Sequence, residues 1–195
     1  MGELKFLFPT PILTYNLDKK LLLDEYDSIG ELNFTYAKKD YWGLTHKLYP
    51  EGDETFGGDV IKKHNLMYLH TAIDNLVEDY CNMLEQQKVP YRRTSWFTRC
   101  DRGDYGHIHT HGVADLSGVV YYEVPEGSGN IFFTSPVEAA KISGWFLKHH
   151  INNQTEEPEV GKLILFPGWL SHGVTTSESE QRRISLSFNI FFQRI

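Results

Sequence analysis

The spacing of hydrophobic positions changes character about midway along the chain. Leu66, Leu69, Ile73, Leu76, Tyr80 and Met83 follow one another at alternating three- and four-residue intervals, which predicts a helix with one packed face. Upstream, an extended Phe8-Pro9-Thr10-Pro11-Ile12 segment precedes Asp18. Asp18 is placed to cap a short helix that carries Leu22, Tyr26 and Ile29 on one side and stops at Gly30. A loop rich in Gly, Asp and Tyr is expected over roughly 38–60. From Tyr91 onward the period shortens. Ser95–Cys100, Leu116–Val124, Asn130–Thr134, Lys162–Phe166 and Arg183–Phe192 are short runs of β-branched and aromatic residues between Gly, Pro, Asn and Asp. Many short strands so spaced predict a sandwich or barrel, here buttressed by two helices. The polar stretch from Lys148 to Glu159 is expected as a surface loop.

Length and composition narrow the class. The 195 residues suit one domain, with 1–90 as a mostly helical buttress and 91–195 as the β core. A 41% apolar and 14% aromatic composition excludes disorder. The net charge of −7 disfavours bulk nucleic acid as a partner. Cys81 and Cys100 form neither a disulfide framework nor a metal knuckle, and are expected as small buried hydrophobes in a reducing compartment. Lys5-Phe6-Leu7-Phe8 is cut short by Pro9 and Pro11, so no leader is expected. No apolar run is long enough to span a membrane, and the expected location is the cytoplasm.

Three histidines stand at alternate positions, His107, His109 and His111. If that stretch is extended, all three project from one face, where two neutral imidazoles can share a metal ion. His172 is the candidate that closes the site, because it follows the buried-strand and turn signature Gly161-Lys162-Leu163-Ile164-Leu165-Phe166-Pro167-Gly168-Trp169. A jelly roll brings such distant strands together around one mouth. A lone histidine in a loop is more often solvated, and His64, His70, His149 and His150 are read in that way.

The last strand alternates strictly. Ile184, Leu186, Phe188, Ile190 and Phe192 fall on one face, and Arg183, Ser185, Ser187, Asn189 and Phe191 on the other. A guanidinium and two hydroxyls on a core-quality strand are costly to bury unless an anion meets them. The bland alternative is a solvated outer face. Guanidinium takes a carboxylate in bidentate fashion, and a neighbouring hydroxyl such as Ser185 can donate to the same group. A metal site beside such a clamp is what 2-oxoglutarate chemistry requires, with iron(II) as metal and dioxygen as oxidant.

These blocks resemble a family of 2-oxoglutarate–iron(II) oxygenases found in marine bacteria and their phages. The resemblance rests on Gly103-Asp104-Tyr105, His109-Thr110-His111, Leu116-Ser117-Gly118-Val119-Val120-Tyr121-Tyr122, Gly161 to His172, and Arg183 to Asn189. It implies a double-stranded β-helix, with His109, His111 and His172 as metal ligands and Arg183 as the cosubstrate anchor. It also implies a cytoplasmic setting, the host's own if the chain is phage-encoded. One departure matters: most of the wider superfamily has a carboxylate where His111 stands. Asp115 is therefore an alternative ligand, and His107 with His109 an alternative pair. The same spacing partly matches the two cupin motifs, so a cupin-type metalloprotein is the first competing reading, and a non-catalytic jelly-roll binding module the second. The substrate stays open among a protein residue, a nucleobase and a small metabolite. Tyr121, Tyr122, Trp145, Trp169 and the 148–159 loop are candidates to line or cover the mouth. The apolar ending Phe191-Phe192 is a route to a homo-oligomer by strand pairing.

Overall fold

The computed structural model describes residues 9–36, 45–50, 57–137 and 153–193. Along the chain these form β1 (Leu13–Asn16), α1 (Lys19–Asp27), β2 (Thr35–Tyr36), β3 (Lys47–Tyr49), α2 (Val60–Lys63) and α3 (Met67–Met83). There follow β4 (Tyr91–Cys100), β5 (Gly106–His109), β6 (Leu116–Glu123), β7 (Ile131–Thr134), β8 (Asn153–Glu156), β9 (Lys162–Pro167), β10 (His172–Val174) and β11 (Arg183–Phe192). The strands pair antiparallel in a seven-stranded sheet, ordered β1-β9-β6-β11-β4-β3-β2, and a four-stranded sheet, ordered β5-β10-β7-β8. This is a mainly β double-stranded β-helix with helices on one flank.

The helices form where caps and periodicity agree. Asp18 caps α1 by accepting from the Leu21 amide, and Gly30 follows the helix with a positive φ of 79°. Helix α3 has no capping side chain of its own at Leu66. Glu25 of α1 caps it instead, its carboxylate accepting from the Tyr68 and Leu69 amides at 2.5 and 3.1 Å. Leu69, Ile73, Leu76 and Tyr80 are buried as the spacing predicts, whereas Met83 is 68% exposed, since the chain leaves the sheet at the end of α3.

Two apolar layers result. Leu22, Leu69, Ile73 and Leu76 pack on Phe97, Val120, Leu163, Leu186 and Phe188 of the large sheet. Between the sheets lies a smaller cluster that includes Val119, Tyr121, Ile131, Phe133, Ile164 and Phe166. Strand β11 sits centrally between β6 and β4, so both of its faces are buried and both of its edges are paired. The pairing with β6 runs from Ile184 to Ile190 and stops short of Phe191-Phe192.

Other expectations shift in detail. The first ninety residues are not only a helical buttress, because β1, β2 and β3 join the large sheet. Residues 153–156 of the expected 148–159 loop form β8, which pairs with β7. Phe8, the Lys5–Phe8 stretch, Trp145, His149, His150 and residues 148–152 lie outside the described residues, as does much of the 38–60 loop.

Gly118 on β6 leaves the space that the Phe188 ring fills, for a Cβ there would stand 2.3 Å from the ring and 2.6 Å from the Ile164 carbonyl oxygen. Gly118→Ala is therefore expected to destabilise the fold by roughly 1–3 kcal/mol, read from the urea midpoint. An unchanged midpoint would show that β6 and β11 pack less tightly than this.

Candidate metal centre

Three imidazoles converge at one end of the cavity between the sheets. The ligand-capable ring nitrogens of His109, His111 and His172 all lie within 4.8 Å of one another. Strand register explains the first pair: His172 of β10 stands directly across from His109 of β5, and their ring centroids are 4.4 Å apart. His111 arrives differently. Strand β5 ends at His109, and the chain then turns so that the His111 amide donates to the Gly168 carbonyl at 2.8 Å. Gly168 in turn donates to Asp115 and lies so close to Ala114 that a Cβ would be 2.2 Å from its carbonyl oxygen. Only glycine lets the His111 loop and the turn before His172 dock in this way. The His111 ring then stacks on buried Trp96, centroids 6.0 Å apart.

Hydrogen bonds set the ring orientations. Nδ1 of His109 donates to the His107 carbonyl at 2.7 Å, and Nδ1 of His172 donates to the Leu170 carbonyl at 2.8 Å. Each neutral ring thus keeps its Nε2 lone pair for a metal. Nε2 of His111 and Nε2 of His172 are 3.2 Å apart. Two nitrogens at that distance require a positive centre between them, a proton or a metal ion. Ligand nitrogens about 2.1 Å from one ion at a right angle would be separated by about 3.0 Å, so the spacing fits a shared metal. Burial pushes His111 down to about 2, with His172 and His109 adding repulsion, and pushes His172 down to about 3, with His109 adding to it. Burial lowers His109 as well. All three rings are neutral near pH ~7, the form that binds metal.

The alternatives from the sequence lie elsewhere. Asp115 is exposed, and its carboxylate accepts from the Phe192 amide at 2.8 Å, tying the ligand loop to the end of β11. The exposed His107 ring packs edge-on against Tyr105. Neither joins the three-imidazole cluster.

Deeper in the same cavity lies Arg183, 2% exposed and lining the wall with Ser185 and Ser187. Its Nη1 donates to the Ser128 and Gly129 carbonyls at 3.2 and 2.9 Å, and Nη2 to the Cys100 sulfur at 3.1 Å. Its buried Nε has no partner, and among the described residues no carboxylate pairs with the guanidinium. A buried cation satisfied only by neutral acceptors fits an arriving anion. Arg182, by contrast, pairs with Glu123 at the surface.

Several cavity residues carried no signal in the sequence. His46, just before β3, lines the wall, held through Nδ1 by the Thr45 hydroxyl at 2.9 Å. Burial takes it down to about 4, helped by His109 and Arg183. Trp96 and Cys100 line the same wall. Tyr121 does so too, whereas Tyr122 packs toward the helices and Trp169 is 52% exposed. His64 bonds the Tyr49 hydroxyl and His70 the Arg93 guanidinium, both away from this cavity.

The chain is similar to known proteins in part of its sequence and in its fold. Residues 94–189 match the family described as putative 2OG-Fe(II) oxygenase, a span that includes the three clustered histidines, Arg183 and Ser185. No curated protein sequence matches the chain. HygX from Streptomyces hygroscopicus, solved with nickel and 2-oxoglutarate bound, superposes with a TM-score of 0.64 at 11% identity, over 94% of this chain and 84% of that one. A Pseudomonas putida prolyl-4-hydroxylase gives 0.60 at 14% identity, over 95% and 94%. A Trichoplax adhaerens prolyl hydroxylase in complex with a hypoxia-inducible-factor peptide gives 0.61 at 14%, over 93% and 83%. These likenesses show the fold.

The neutral rings also set the acid limb of stability. Both His111 and His172 have folded values below the ordinary ~6.5 of an unfolded chain, so the unfolded state takes up protons first. Their contribution is present above pH ~6.5 and is lost as pH falls from there, at ~1.4 kcal/mol per unit for each ring. The urea midpoint of metal-free protein is expected to drop between about pH 7 and about pH 5, and to drop less in His111→Gln and His172→Gln. Equal slopes in wild type and variants would contradict buried neutral rings.

Proposed function

We infer that this chain is a 2-oxoglutarate- and iron(II)-dependent oxygenase that holds its iron on His109, His111 and His172, a reading supported by the family match over residues 94–189 and by the three-imidazole cluster. Arg183, with Ser185 beside it, anchors the distal carboxylate of 2-oxoglutarate, and the reaction is hydroxylation of a substrate C–H bond. The carrying observation is that a buried Arg183 with no carboxylate partner among the described residues shares one cavity with the three-imidazole cluster. A cupin-type metalloprotein would account for the histidines but would leave this cation without a purpose.

Bound iron(II) supplies the redox chemistry that couples dioxygen to decarboxylation of 2-oxoglutarate. The balance is substrate C–H plus dioxygen plus 2-oxoglutarate giving substrate C–OH, succinate and carbon dioxide. The protein's part is positioning and exclusion of water. Arg183 neutralises the far carboxylate of the cosubstrate and fixes its direction. The Leu170 and His107 carbonyls hold the His172 and His109 rings in place. Val119, Tyr121 and Phe166 form a dry wall that strengthens these charge interactions.

The substrate is a small metabolite, a protein residue or a nucleobase. Hygromycin B bound to HygX, and the peptide bound to the Trichoplax enzyme, support the first two. The resemblance to marine bacterial and phage oxygenases and the lack of a membrane-length helix among the described residues support a cytoplasmic enzyme, in the host cell where phage-encoded. We read residues 1–195 as one domain, because the helices and β1–β3 pack on the same large sheet.

Arg183→Ala is expected to weaken 2-oxoglutarate binding by about a hundredfold while metal affinity changes little, and His172→Ala to lose both. Titration calorimetry under anaerobic conditions, with metal analysis of the same samples, separates these outcomes. Unchanged cosubstrate affinity in Arg183→Ala would remove the anchor from this account.

A further inference from the structure

Among the described residues, the cavity wall carries one permanent charge, Arg183, and neither Asp nor Glu. The acids near it in sequence are engaged elsewhere: Asp115 bonds the Phe192 amide, and Asp104 the Asp101 amide. The clustered candidate ligands are three imidazoles, with no carboxylate among them. The charge balance of the loaded site therefore does not close. A divalent ion and Arg183 bring two plus one positive charges, and 2-oxoglutarate brings two negative ones, which leaves one positive charge over. The cavity that would hold it is lined in part by Trp96, Val119 and Phe166, which are 5, 8 and 2% exposed. An uncompensated charge so enclosed is unfavourable, and a second anion relieves it.

We propose that the loaded cavity binds a monoanion in addition to 2-oxoglutarate, on the His111 side of the metal centre. The anion is either a negatively charged group on the primary substrate or a free inorganic ion. The proposal rests on the oxygenase reading above and gives it a substrate class: an acidic molecule, or a neutral one processed together with a bound anion. The wall accounts for the preference. With Arg183 taken up by 2-oxoglutarate and the imidazoles by the metal, the remaining wall holds no carboxylate that would repel such a ligand.

The test uses full-length protein loaded with cobalt(II), which is stable to air here and has visible bands, and saturated with 2-oxoglutarate. Azide, chloride and acetate are added in turn at constant ionic strength held with a non-coordinating salt. A saturable change in the cobalt bands at about millimolar anion is expected. Preference for acetate identifies an organic carboxylate on the substrate, and preference for azide or chloride a free inorganic ion. His111→Asp supplies the missing charge and should weaken anion binding at least about tenfold, with His111→Glu as the second variant should the first not fold. Absence of any saturable change while cobalt and 2-oxoglutarate both bind overturns the proposal alone. Equal anion affinity in both variants does the same. Failure of cobalt or 2-oxoglutarate to bind overturns the oxygenase reading with it.

Discussion

Strand β11 has to satisfy two opposite environments along its length, and the rest of the molecule is arranged around that demand. Ile184, Leu186, Phe188 and Ile190 are fully buried against the helical layer, and each contributes roughly 1.5–3 kcal/mol of apolar burial. On the other face Arg183, Ser185 and Ser187 line the cavity, with Arg183 and Ser185 buried, and farther along Asn189 accepts from the Ser117 hydroxyl at 2.8 Å. Holding an ionised guanidinium inside a protein costs several kcal/mol without a counter-charge. The apolar face, together with paired edges on both sides, supplies the stability that lets the strand keep Arg183 there. Helices on one flank and a cavity with a buried cation on the other are two consequences of a single alternation.

The three-imidazole cluster depends on a different device, the docking of two short loops. Strands β5 and β10 have only four and three residues, too few to fix a site by themselves. Their register sets His109 opposite His172. His111 is brought in by contacts outside the sheets: the Gly168 carbonyl, the close approach to Ala114, and Asp115 fastened to the Phe192 amide. Strand β11 thus reaches both halves of the site. Its first residue is the buried cation, and its last residue fastens the loop that carries His111. The three-imidazole cluster and the buried cation are coupled through one element.

Much of this was legible in the chain because it is written in period. Alternation from Arg183 to Phe192 exposes a polar face on a core strand, and the six-residue stripe from Leu66 exposes a helix. The strand-and-turn run ending in Pro167-Gly168 points to His172. What stayed hidden depends on contacts between distant segments. Glu25 caps α3 from another helix. Cys100 accepts from Arg183 because β4 and β11 place the two opposite each other, and nothing near Cys100 in sequence announces it. His46 is a single histidine in a connecting segment, with no periodicity to mark it. Asp115 is an alternative ligand because the resemblance leads one to expect a carboxylate where His111 stands, yet its carboxylate accepts from a backbone amide that only the fold brings near. The strictly extended reading of His107, His109 and His111 does not hold, since the strand ends at His109, His111 still joins His109 and His172, and the His107 ring packs on Tyr105 instead.

The central claim is that three imidazoles and one buried arginine form a single site for iron(II) and 2-oxoglutarate. Its most direct test is an anaerobic titration of metal-free protein with iron(II) and then 2-oxoglutarate, followed in the visible spectrum. The account predicts a metal-to-ligand charge-transfer band that requires both additions and is lost in Arg183→Ala and His172→Ala. Tight iron binding with no such band would contradict the joint site.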